Sequence, residues 1–265
     1  MSFEMEMEEY HEDMDFKKKQ KITTTISTHN NVDYLKLAVK SVRQNAYYKD
    51  MPIVVHAENC TDGTDEWLEE NNFGLFDWKM DRATADKIDA GKAPWWSRDL
   101  TGGEKGCTLS HWQIWMENEE NTEPIMILED DALFDKDLEL KRDIAIDTLE
   151  SMGKDWDVLY LGRVALDKSR EDRLTKSIVI PKFSYCTYAY CVSPKGINKL
   201  LQYDVQKAII PADEFLSSTY IAHPRIDVSL KYPPSLLVYA LDPVIVKQRT
   251  KEEVGSDTGL PEERK

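Results

Sequence analysis

The sequence predicts an α/β domain built on a mixed, mostly parallel sheet with helices on both faces. Three observations predict it. From Lys21 onward, short β-branched or apolar runs alternate with stretches of helical periodicity, the order that produces parallel strands joined by crossover helices. Apolar residues make up 41% and aromatic residues 10% of the 265 positions, enough for a substantial core. One run, Pro124-Ile125-Met126-Ile127-Leu128-Glu129-Asp130-Asp131, passes from strongly apolar residues straight into three carboxylates. In open α/β sheets, ligands sit at the carboxyl ends of strands.

The elements follow in order. Residues 1–20 are acidic and then basic at Lys17, Lys18 and Lys19, and form a leader. Lys21 to Thr28 is β-branched and predicts a strand. Asp33 to Asn45 carries Leu35, Ala38, Val39 and Val42 at helical spacing. Pro52 to Ala57 is a second strand, Asn59 to Thr64 a turn rich in capping residues, and Asp65 to Asn72 a short helix. Pro94, Gly102 and Gly103 place a long loop over 74–105, around a helix at Arg82–Ala90. Thr108 to Glu120 is a helix with Leu109, Trp112, Trp115 and Met116 inward. After the acidic strand, Asp137 to Ser151 is amphipathic. Trp156 to Leu161 is a strand ending at Gly162-Arg163, and Ser184 to Val192 another. Ser193-Pro194 is an N-cap followed by proline at the first helical position. Pro211-Ala212-Asp213-Glu214 opens one more helix. The resulting division is a leader over 1–20, a single domain over 21–246 and a polar tail over 247–265.

Charge and cysteine usage narrow the function classes. The chain carries 34 basic and 49 acidic residues, a net charge of −15. That argues against nucleic acid as a partner, because duplex affinity rests on phosphate neutralisation by Lys and Arg. An anionic small substrate stays open, since a bound cation reverses the local field. The four cysteines (Cys60, Cys107, Cys186, Cys191) show no C-x-x-C and no zinc-ligand spacing. Cys186 and Cys191 sit in an alternating apolar run as buried thiols. No apolar stretch approaches the ~18 residues of a membrane span. The amino terminus has no apolar signal region. A reducing, cytoplasmic setting is the expectation, and oligomeric state is left open.

Three constellations carry candidate chemistry. Glu129 and Asp131 share a face if the segment stays extended. With a substrate diphosphate they complete the hard-oxygen shell of Mn²⁺ or Mg²⁺; the alternative is a cap or a solvated turn after the strand. Gly102-Gly103-Glu104-Lys105-Gly106-Cys107-Thr108-Leu109-Ser110-His111 permits close backbone approach and places a helix start near an anion. Ser110 and His111 then face a phosphate or sugar; the alternative is a loop-to-helix junction with an ordinary core histidine. Asp213-Glu214 at a helix start offers a general base or dipole capping. His223 offers a further metal ligand or a structural histidine. Trp95-Trp96 and Tyr185, Tyr188 and Tyr190 offer stacking on a sugar or core packing.

Together these segments resemble glycosyltransferase family 25, which includes lipopolysaccharide glycosyltransferases and collagen galactosyltransferases. In order they are Gly103 to His111 with Trp115, Leu128-Glu129-Asp130-Asp131, Asp155 to Arg163, Tyr188-Ala189-Tyr190 with Gly196, Pro211 to Leu216, and Ser256-Asp257-Thr258. The amino-terminal segments Thr25 to Asn30 and Glu58 to Thr64 resemble glycosyltransferase family 2 instead. The resemblance implies a GT-A-type, Rossmann-like fold and transfer of a hexose from a UDP-sugar. The acceptor it implies is a hydroxyl of a glycan or of a hydroxylysine-type protein site, with inversion. It implies Mn²⁺ (or Mg²⁺) on Asp131, helped by Glu129. It further implies Asp213 as the base, with Glu214 as the alternative, and donor contacts from Thr28, Asn30, Glu58, Ser110, His111 and Asp130. A binding protein of the same fold without catalysis is the competing expectation.

Overall fold

A computed structural model describes residues 22–249 except 29, 46–51, 58, 59, 72, 74–98 and 135. Ten strands are present among these: β1 (Thr23–Thr28), β2 (Ile53–Ala57), β3 (Ile125–Glu129), β4 (Ala132–Phe134), β5 (Val158–Ala165), β6 (Asp172–Arg173), β7 (Ile178–Ile180), β8 (Ser184–Val192), β9 (Val238–Leu241) and β10 (Val246–Gln248). Seven helices accompany them: α1 (Val32–Asn45), α2 (Thr64–Glu70), α3 (Gly102–Glu117), α4 (Leu138–Ser151), α5 (Pro194–Leu201), α6 (Ala212–Ser218) and α7 (Ile226–Lys231).

The central sheet has eight strands in the order β2-β1-β3-β8-β5-β9-β7-β6. Strands β2, β1, β3, β5, β9 and β6 run one way, and β8 and β7 run against them. The sheet is therefore mixed and mostly parallel in direction, as expected from the alternation of element types. β3 lies between β1 and β8 and is covered on both sides. Met126 and Leu128 enter one core, with Leu35, Val39, Ile146 and Leu149 of α1 and α4. Ile125 and Ile127 enter the other, with Ile114, Trp115, Ile197, Phe215 and Leu216 of α3, α5 and α6. The continuous apolar run of β3 follows from this double burial.

Several elements differ from expectation. Helix α3 begins at Gly102, six residues before the expected Thr108. Thr101 and Glu104 form a capping box: Glu104 N–H donates to Thr101 Oγ1 at 3.2 Å and Thr101 N–H donates to Glu104 Oε2 at 2.9 Å. Those reciprocal bonds satisfy amides at the helix start and outweigh the low propensity of two glycines. Ser110 and His111 consequently stand in mid-helix rather than at an amino terminus. β5 continues through Gly162 and Arg163 to Ala165. A Cβ on Gly162 would lie 2.2 Å from Tyr188 Cε2 and 2.6 Å from the Val246 carbonyl oxygen, so this position admits β8 and β10 only as glycine. The short elements β4, β6, β7, α7, β9 and β10 were not expected. β10 pairs with β4 across Val246 to Gln248. The leader, the helix at Arg82–Ala90, Trp95-Trp96 and Ser256-Asp257-Thr258 lie outside the described residues. No disulfide joins the four cysteines; Cys191 is buried, whereas Cys186 is half-buried rather than buried.

Candidate active site

The acidic run bends where the strand ends. Glu129 is the last residue of β3, Asp130 and Asp131 form a tight turn, and β4 starts at Ala132. The extended geometry that would put Glu129 and Asp131 on one face is absent, yet the turn keeps each within the other's field. Each of the three carboxylates has its own partner. Thr28 Oγ1, at the end of β1, donates to Asp130 Oδ2 at 2.8 Å. Thr187 Oγ1 donates to Glu129 Oε1 at 2.7 Å, and His111 Nε2 lies 3.3 Å from the same oxygen. Gln248 Nε2 donates to Asp131 Oδ2 at 2.8 Å, while Arg249 N–H donates to the Asp131 carbonyl at 2.9 Å.

Asp131 is electrostatically frustrated. Burial, and then the charge of Glu129, push its carboxyl up to about 7, against the smaller opposing pull of Gln248, its own amide and Arg249. Its Oδ1 is buried without a hydrogen-bond partner. An oxygen in that condition wants a proton or a cation. The residues present therefore fit a hard divalent ion, with Asp131 and Glu129 as the groups to hold it.

A bulge in β8 delivers the residues from the next strand. Tyr190 pairs with Tyr160 and Ala189 with Gly162, but the following partner of β5, Val164, faces Tyr185. Cys186, inside this irregularity, has a left-handed φ of 69°. Its N–H donates to Asp213 Oδ2 at 3.2 Å, and Glu214 N–H donates to Asp213 Oδ1 at 2.9 Å. The strained backbone is held by a carboxylate, a use of a bulge to re-aim side chains. Thr187, the next residue, thereby reaches Glu129. The Asp213 carboxyl is raised by burial, against the two amide bonds, with added repulsion from Glu214 and Glu129. Asp213 thus shares a field with the acidic turn. Glu214 accepts from Tyr185 at 3.4 Å and pairs with His223 Nε2 at 3.0 Å.

The candidate residues fare differently. Thr28 meets Asp130 and His111 meets Glu129, which brings the ends of β1 and β3 and the middle of α3 together. Ser110 is buried and its hydroxyl donates to the Gly106 carbonyl of its own helix at 2.9 Å, so it does not present that donor to a ligand. Asn30 Oδ1 accepts from Thr61 N–H at 2.6 Å and ties the loop after β2 to the end of β1. Glu58 lies outside the described residues. His223 is corrected as a metal ligand. Its Nδ1 accepts from Arg225 N–H at 3.0 Å, which leaves the proton on Nε2 for Glu214; neither nitrogen keeps a lone pair for an ion. Thr187, Gln248 and Arg249 were not anticipated. Thr187 sits in a strand that reads as core, and the other two fall in the stretch that reads as a polar tail.

The family model described as Glycosyltransferase family 25 (LPS biosynthesis protein) matches residues 69–216. The chain is 34% identical over 160 residues to procollagen galactosyltransferase 1-A of Xenopus laevis, covering 58% of this chain and 26% of that protein. It is 30% identical over 156 residues to the inactive glycosyltransferase 25 family member 3 of Homo sapiens, covering 57% and 26%. The chain thus spans about a quarter of the length of these curated relatives. Among solved structures, the galactosyltransferase LgtC with donor and acceptor sugar analogues is similar at a TM-score of 0.45 and 11% identity, over 86% of each chain.

Proposed function

The chain belongs to glycosyltransferase family 25, and on that premise we infer that it moves a hexose, galactose or glucose, from a UDP-sugar to a hydroxyl of a glycan or a hydroxylysine-type protein acceptor. The observation that carries this reading is the buried, partnerless Oδ1 of Asp131 beside the charge of Glu129. Glu129 and Asp131 are the residues that would hold Mn²⁺ or Mg²⁺. Such an ion, when bound, neutralises charge on the departing diphosphate.

The chain's own groups do the rest. Thr28 and Asp130, joined by their hydrogen bond, contact the nucleoside at the ends of β1 and β3. His111 and Thr187 fix Glu129. Asp213 takes the proton from the acceptor hydroxyl as its oxygen bonds to the anomeric carbon. The bond from that carbon to the diphosphate oxygen breaks on the opposite face, and UDP leaves with the electron pair. One displacement inverts the anomeric centre. A carboxyl raised by burial is suited to accept a proton. Glu214, the next residue, which accepts from Tyr185 and pairs with His223, is the alternative base. No helix among the described residues is long and apolar enough to cross a membrane; a cytoplasmic setting is part of the proposal.

A second reading is a nucleotide-sugar- or glycan-binding protein that has lost transfer, since one relative is named inactive. A UDP-release screen over a panel of nucleotide sugars, with and without Mn²⁺, separates the two. The transferase reading expects acceptor-dependent UDP release with Mn²⁺ that Asp131→Ala abolishes in a folded protein. Release unchanged in that variant would refute the metal assignment, and sugar binding without release would favour the second reading.

A further inference from the structure

Cys107 and His111 are four residues apart on α3 and therefore lie on one face of the helix. Glu129, from the end of β3, meets them there. The Cys107 sulfur, a His111 ring nitrogen and a Glu129 oxygen all lie within 4.8 Å of one another. Ligand atoms of a tetrahedral zinc ion stand roughly 3–4 Å apart at the usual bond lengths, so small side-chain rotations close the shell. We propose that Cys107, His111 and Glu129 form a site for a borderline-soft divalent cation, Zn²⁺ above all.

The surroundings of His111 are built for ligation. Its Nδ1 lies 2.9 Å from the Tyr190 hydroxyl, and Trp115 Nε1–H donates to that hydroxyl at 3.1 Å. His111, Trp115 and Tyr190 are all buried. The tautomer that carries its proton on Nδ1 and donates it to Tyr190 Oη would turn the Nε2 lone pair to an ion bound beside Glu129. Outer partners of this kind set the tautomer and ring angle of a ligating histidine. Thr187 does the equivalent for Glu129 by donating to Oε1. Cys107 and Glu129 are only half-buried, so a fourth position faces water, as in zinc sites with three protein ligands.

The donor set decides the metal. A thiolate with an imidazole selects Zn²⁺ or Co²⁺ over the oxygen-seeking Mn²⁺ and Mg²⁺. Glu129 belongs to both this set and the pair with Asp131. If the proposed catalytic ion is correct, Zn²⁺ withdraws a carboxylate from it and acts as an antagonist; the zinc site itself does not depend on that reading.

The test uses the whole, EDTA-stripped protein titrated with Co²⁺ in the presence of a thiol-free reductant. The expected result is a near-ultraviolet thiolate-to-cobalt band saturating at one equivalent and erased by one equivalent of Zn²⁺. Cys107→Ser removes the band, whereas Cys60→Ser and Cys186→Ser keep it. A band that persists in Cys107→Ser, or the absence of any band in the wild type, overturns the proposal. X-ray absorption of the Zn²⁺-loaded wild type guards against a misfolded variant. One sulfur at about 2.3 Å supports the site, and a shell of nitrogen and oxygen alone overturns it.

Discussion

In the metal-free protein, Asp131→Asn should gain stability relative to the wild type as pH rises. In the fold the carboxyl titrates at about 7 instead of 3.8. Below about pH 4 it is protonated in both the folded and unfolded chains and contributes no difference. Between pH 4 and 7 the unfolded chain has released the proton while the fold retains it, so stability falls with pH; above 7 the penalty is complete. A shift of about three units is worth about 4 kcal/mol if all of it belongs to Asp131, and about half that if Glu129 shares the proton. The amide keeps an acceptor for Gln248, and any unsatisfied N–H it introduces costs roughly 1–3 kcal/mol at every pH. The diagnostic is therefore the change in the difference with pH. Urea unfolding in EDTA at pH 5 and pH 8 measures it. The variant should gain about 1–2.5 kcal/mol on wild type between the two, and Mn²⁺ at pH 8 should raise the wild-type midpoint alone. A wild-type-to-variant difference equal at both pH values would refute the reasoning.

Other positions give independent checks. Gly162→Ala forces a Cβ into Tyr188 and the Val246 carbonyl and should lose about 2–3 kcal/mol in urea; an unchanged midpoint would mean that β10 does not depend on this contact. Thr101→Ala removes the capping box of α3, with an expected loss of about 1 kcal/mol, read by thermal melting. His223→Ala should leave Mn²⁺ affinity unchanged in calorimetry, because both its ring nitrogens are used by Glu214 and Arg225; a tenfold weaker ion would restore it as a ligand. Thr28→Val keeps the shape of β1 but removes the hydroxyl that donates to Asp130 Oδ2. UDP-sugar binding should weaken roughly 5–10-fold, about one hydrogen bond, and unaltered affinity would remove β1 from the donor site.

Much of the fold was legible because long, strongly periodic segments carry their own signal. β8 spans the expected Ser184–Val192, α5 starts after Ser193 as its cap predicts, and β3 follows its apolar run. Less legible were short strands and helix starts. The two glycines at 102 and 103 read as loop until Thr101 and Glu104 are seen to bond reciprocally. β10 has three residues and no periodicity to detect; it exists because β4 offers a partner and Gly162 makes room. The site divides in the same way. The carboxylates of Glu129, Asp130, Asp131, Asp213 and Glu214 stand out by residue type, since acids beside apolar runs are unusual. Thr187, Gln248 and His111's tie to Tyr190 do not, because a hydroxyl or amide gains a role only from its neighbour.

By itself the sequence determined the alternation of strands and helices, the apolar run of β3 and the placing of carboxylates at its end. Those follow from local spacing and side-chain type. Only the tertiary structure decided how the acids are used. The turn after Glu129 sets Asp131 against its charge, the bulge at Cys186 brings Thr187 and Asp213 to the same field, and His223 is drawn away to Glu214. The reason is physical: a carboxylate's affinity for a proton or cation depends on burial and neighbouring charge, and both come from residues distant in the chain.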